Sequence, residues 1–109
     1  MADKAPWRQE IELLQNYNKH ATFTHTTTGS SAEDALTLAG KMEEGNKISF
    51  VVETGGAYIA FDETATTSTG MLVPADEGYF DDNIYFSTKI SIIRATSSNA
   101  RIRGIVWGR

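Results

Sequence analysis

The sequence predicts an all-β domain, and three observations predict it. Short runs alternate apolar and polar residues from Ala21 to the C-terminus. Turn-forming clusters of Gly, Ser, Thr and Asn separate these runs at roughly eight- to twelve-residue intervals. Thr, Ile and Val, whose branched side chains suit a pleated surface, are abundant. Together they indicate an antiparallel β-sandwich or small barrel rather than an α/β sheet. The chain has 109 residues, of which 40% are hydrophobic and 22% charged. That is enough for one domain with its own core.

Residues 1–20 read differently from the rest. Pro6 suits the first position of a helix, and Trp7, Ile11, Leu14 and Asn18 fall on one helical stripe with Leu13 and Tyr17 beside it. Glu10 and Glu12 in the early turns fit a helix N-terminus. The expectation is a short amphipathic helix, or an arm that orders when it docks on a partner, ahead of a β-sandwich over 21–109.

From Ala21 the period changes to two. In "ATFTHTT", Phe23 and His25 share one face, and Thr22, Thr24 and Thr26 share the other, the pattern of an exposed or edge strand. "SSAEDALTLAG" fits either a capping box from Ser30 to Glu33 or a strand over "ALTLA". "KISFVVE" is the clearest strand, with Ile48, Phe50 and Val52 opposed to Lys47, Ser49 and Glu53. "TGG" at 54–56 signals a hairpin into "AYIAFD", where Ala57, Ile59 and Phe61 point inward. A loop over "ETATTST" leads to "GMLVPA", which Pro74 ends or confines to an edge.

"DEGYFDDN" reads as an acidic turn and "IYFS" as a further short strand. "KISIIRA" and "RIRGIVWG", joined by "TSSN", read as a closing hairpin. Within the last run Ile102 points inward, and then Gly104 precedes the unbroken Ile105-Val106-Trp107. A bulge at Gly104, or a strand covered on both faces, would account for the change of phase.

The formal net charge of −4 disfavours general nucleic-acid binding, which needs a basic field. No apolar stretch approaches the ~18 residues that span a bilayer, and the N-terminus lacks the apolar run of a secretory signal, so synthesis in the cytoplasm is expected. With no Cys, disulfides, thiol catalysis and thiolate metal sites are excluded.

A search for chemistry returns little. His20 and His25 share neither a helix face nor a strand face. The paired acids, such as Glu33-Asp34 and Asp81-Asp82, send their carboxylates to opposite faces of any strand. "ADEGYFDDN" lacks the spacing of a calcium-binding loop, the glycine turns lack a Walker lysine, and no G-x-S-x-G elbow is present. No catalytic residue, metal ligand or cofactor site is expected.

The C-terminal run is different: Arg94, Arg101, Arg103 and Arg109 lie in a stretch with no acid, while acids crowd residues 33–82. Such a positive edge fits a solvated strand face, or a surface that selects an acidic partner and fixes its register. Exposed aromatics at Tyr58, Tyr79, Tyr85 and Trp107 would suit a glycan-binding sandwich if they gathered on one face.

Set side by side, "GGAYIAFDETATTSTGMLVPADEGYF" and "KISIIRATSSNARIRGIVWGR" resemble small virion structural proteins of tailed bacteriophages, most of all capsid decoration (cement) proteins. The resemblance covers about residues 47–109 and rests on strand and turn patterns. It implies a jelly-roll-like or related antiparallel β-sandwich on the exterior of an assembled capsid, stapling neighbouring major capsid subunits and associating with other copies of itself. It also admits a tail, neck or fibre-attachment component. The family uses no catalytic residues or cofactors. By position and composition, Trp7, Ile11, Leu14, Arg101, Arg103 and Trp107 are the candidate partner-binding residues.

Overall fold

A computed structural model describes residues 18–109. They form eight strands and no helix: β1 (Lys19–Thr26), β2 (Glu33–Thr37), β3 (Gly45–Thr54), β4 (Ala57–Phe61), β5 (Met71–Val73), β6 (Glu77–Asp81), β7 (Lys89–Arg94) and β8 (Arg101–Gly108). Two antiparallel four-stranded sheets result, sheet A in the order β1-β8-β3-β6 and sheet B in the order β2-β7-β4-β5. The expected helix or arm, with Trp7, Ile11 and Leu14, lies outside the described residues. β1 begins two residues ahead of Ala21, where the alternation is first legible.

One rule generates the topology. Folding the chain back on itself pairs β1 with β8, β2 with β7, β3 with β6 and β4 with β5. Rolling that ribbon of nested antiparallel pairs adds the β3–β8 and β4–β7 ladders and divides the strands between two sheets. This is the strand order of an eight-stranded jelly roll. Among the described residues, only the β4–β5 connection stays within one sheet.

Two expected hairpins are therefore sheet crossings. "TGG" carries the chain from β3 in sheet A to β4 in sheet B, with Gly55 and Gly56 at φ +77° and +66°. "TSSN" carries it back from β7 to β8. Turn chemistry fixes that the chain turns; it does not fix which sheet receives it. The acidic turn expected over "DEGYFDDN" is in part strand, because Glu77–Asp81 pairs with β3 and covers its second edge. "IYFS" is not a strand: Phe86 makes a single bridge to Gly45. The ambiguous "ALTLA" region resolves as β2, displaced to Glu33–Thr37.

The core lies between the sheets. Ile48, Val52, Ile102 and Val106 from sheet A meet Ile59, Ile90 and Ile92 from sheet B, all fully or almost fully buried, with Leu38 and Phe86 closing the layer. Phe86 stacks against Phe61 at 5.1 Å and Phe50 against Tyr79 at 5.6 Å, both tilted. Burial of each such side chain contributes on the order of 1.5–3 kcal/mol.

Two buried hydroxyls are satisfied. Thr27 Oγ1 accepts from Ala100 N (2.9 Å), and Ser91 Oγ accepts from Ala65 N (2.9 Å). The second bond fastens the β4–β5 loop over the outer face of sheet B, where Ala65 is buried.

Candidate functional site: the outer face of sheet A

Register sets what the outer face of sheet A presents. In β8, Ile102, Gly104, Val106 and Gly108 point to the core, so Arg101, Arg103, Ile105 and Trp107 point out. β3 sets Lys47 opposite Trp107, Ser49 opposite Ile105 and Val51 opposite Arg103. β6 adds Phe80 opposite Ser49, and β1 adds His20, Thr22, Thr24 and Thr26.

Alternation therefore runs unbroken through β8, and no bulge occurs at Gly104: the register with β1 is continuous, and the irregularities with β3 fall at Gly45/Lys47 and Val52/Thr54. Gly104 stands between Phe23 on β1 and Phe50 on β3. A Cβ there would lie 2.5 Å from the Phe50 Cβ and from the Ser49 carbonyl oxygen. The glycine makes room for Phe50 without altering the phase. Of the run Ile105-Val106-Trp107, only Val106 is core; its two neighbours are half-buried on the outer surface.

The face has two ends. At one, the Lys47 ammonium lies 5.0 Å from the Trp107 ring centre and 5.6 Å from that of Phe80, which is 58% exposed. Cation–π contacts at such exposed sites contribute about 0.5–1 kcal/mol each. At the other, Glu53 accepts from Arg103 Nε at 2.6 Å and lies 3.9 Å from Arg101 Nε. Glu53 thus neutralises part of the positive run, a pairing invisible until β3 lies beside β8. Arg94 is not part of this face: it sits in sheet B and donates to Asn99 Oδ1 (2.9 Å).

The structure places Arg101, Arg103 and Trp107, three of the six expected partner-binding residues, on one face. Reasoning from sequence missed Lys47, Phe80 and Glu53, whose only signal was their position on outward phases of β3 and β6. The aromatics proposed for a glycan platform are dispersed. Trp107 lies on the outer face of sheet A, Tyr58 on sheet B, Tyr79 against Phe50 beneath sheet A, and Tyr85 in the β6–β7 loop.

Polar side chains elsewhere do structural work. Asp62 ends β4 at φ +62° and accepts backbone N–H bonds from Thr88 (2.6 Å), Ser87 (2.8 Å) and Lys89 (3.3 Å), plus the Thr88 hydroxyl. Burial pushes its carboxyl up, but these donors outweigh it and hold the group below the usual carboxylate range. Glu33 is held low chiefly by the Thr28 backbone N–H, against some burial and with help from His25, whose Nε2 lies 3.0 Å from Glu33 Oε1. His25 is thus a paired side chain and not a free surface imidazole. The Tyr79 hydroxyl donates to Asp81 (2.8 Å), which raises the phenol above its ordinary value. Among the described residues, no group of three or more His, Asp or Glu side chains is placed to hold a metal ion. No helix among them is long and apolar enough to cross a membrane.

A shallow groove of about 630 Å³ lies at the far end of sheet B, between Tyr58, Leu72, Pro74 and the crossings at 54–56 and 95–98. Comparison with known proteins returned no match: no family model fits the chain, and no curated protein or solved structure resembles it significantly.

Proposed function

We propose that this protein is a bacteriophage virion structural component, a capsid decoration protein that docks on the assembled shell and staples neighbouring major capsid subunits. The observation that carries the reading is the outer face of sheet A, which no strand or loop among the described residues covers. Trp107, Ile105 and Phe80 stand outside the core; Ile105 and Trp107 lie in line with Arg101 and Arg103 on β8, and Phe80 lies across β3 on β6. Sheet B, by contrast, covers part of its outer face with its own loop. An aromatic and arginine cluster on an open face is the composition of an interface centre.

The face spans roughly 20 Å along β8 and about 14 Å across four strands. That is smaller than the ~800 Å² each partner contributes to a stable complex. Docking therefore gains from a second contact, for which Trp7, Ile11 and Leu14 are the candidates, and from many copies acting together. A protein that binds assembled shells and not dispersed subunits stabilises the shell by mass action.

The test mixes purified protein with expanded shells of the cognate phage that lack it. The proposal predicts saturation at a fixed copy number per shell and at least about tenfold weaker binding for Trp107→Ala, the scale of an interface anchor. Attachment to tails alone, or to no part of the particle, would reject it.

A further inference from the structure

Sheet edges offer unpaired backbone groups, and proteins blunt them with short strands, bulges, prolines or charge. Three of the four edges here are blunted in these ways. β2 has five residues and a register shift between Asp34 and Leu36. β5 has three residues and stops at Pro74. β6 has five residues and carries Glu77 and Asp81. β1 is the exception: eight residues with a continuous register to β8, no proline, and its one Lys, Lys19, confined to the first position.

Which backbone groups of β1 are free follows from one hydrogen bond. Thr27 N donates to Ala100 O at 2.8 Å, toward β8. Alternate residues of an antiparallel strand turn both backbone groups to the same neighbour. Phe23 and His25 thus also face β8, and His20, Thr22, Thr24 and Thr26 turn their N–H and C=O groups outward. All four are exposed, none is an acid, Lys or Arg, and among the described residues no strand pairs with them.

We infer that the β1 edge pairs with the β1 edge of a second copy, joining two sheets A into one eight-stranded sheet. The occupant follows from self-complementarity. Outward-facing residues can pair only with outward-facing residues, so the register is restricted to steps of two. The longest overlap pairs Thr22 with Thr24 of the second copy and His20 with its Thr26, about a two-fold axis at Phe23. That register stacks Thr on Thr, a favourable cross-strand pair, and opposes no like charges in the centre. The joined sheet presents two copies of the Trp107 face on one surface, and the pairing holds whether or not that face meets a capsid.

The experiment measures mass by sedimentation equilibrium and backbone amide exchange by NMR on the full chain, from ~1 to ~500 µM, the range over which micromolar dimers dissociate. The expected result is a dimer in which the amides of His20, Thr22, Thr24 and Thr26 exchange slowly. Thr22→Lys/Thr24→Lys should weaken it by at least about tenfold by opposing like charges. Thr24→Pro should do the same by removing one outward N–H, leaving the β1–β8 ladder intact. A monomer at every concentration overturns the inference. So does a dimer that survives both variants, or slow exchange of the four amides in a monomer, which would mean residues 1–17 cover the edge.

Discussion

Gly104 and Asp62 show how single residues set this architecture. Gly104 breaks the apolar pattern of the last strand, and from sequence the break reads as a bulge. In the structure its missing side chain is occupied space, because Phe50 from the neighbouring strand fills it. The distinction needs the identity of the residue across the ladder, which no single strand contains. Gly104→Ala should overpack this point and cost about 1–3 kcal/mol, seen as a lower midpoint in denaturant with an unchanged slope.

Asp62 stands in a pair of acids that carry no motif, yet it ties the end of β4 to the start of β7 through three backbone N–H groups. Its folded carboxyl and that of Glu33 titrate below their ordinary values of 3.8 and 4.5. The unfolded chain therefore binds protons first as pH falls. Their stabilisation is complete above about pH 4.5 and disappears as pH drops through the lower folded values. Asp62→Asn keeps one acceptor and tolerates the positive φ, so it should cost only about 1 kcal/mol at neutral pH, since the site is exposed. It should also flatten the fall in thermal midpoint between pH 5 and pH 2.5.

At the scale of elements, what the sequence made legible was local. Alternation in "KISFVVE" and "AYIAF" identified the inward residues of β3 and β4, and Pro74 marked the end of an edge strand. Pairing partners were not legible. A two-glycine turn serves a hairpin and a sheet crossing equally well, so β3–β4 and β7–β8 looked like hairpins. β6 was obscured because its outward Phe80 and inward Glu77 and Asp81 invert the usual pattern at a sheet edge. The candidate surface was half legible: Arg101, Arg103 and Trp107 share a phase on β8, whereas Lys47, Glu53 and Phe80 join them only through the ladders. The N-terminal stripe supports an expectation at this scale. Because β1 begins at Lys19, removing residues 1–18 should leave all eight strands and a single cooperative unfolding transition, while weakening the proposed attachment to a shell. Loss of cooperativity in thermal unfolding would show that Trp7, Ile11 and Leu14 belong to the core.

For the whole molecule, the nested ribbon places the first and last strands side by side at the centre and edge of sheet A. The chain's final strand is therefore part of the core and of the outer face of sheet A together. Among the described residues the two outer faces of the sandwich differ: the β4–β5 loop partly roofs one, and the other carries aromatics at one end and arginines at the other. The aromatic and arginine composition of this face is what the proposed docking role rests on. The most direct test of the proposed capsid role is a cryo-EM reconstruction of phage particles assembled in the presence of this protein. The account predicts repeated jelly-roll density on the capsid exterior, with Trp107, Phe80 and Arg103 turned toward the major capsid protein. Density confined to the tail, or a capsid-bound copy whose sheet A face looks out to solvent, would contradict it.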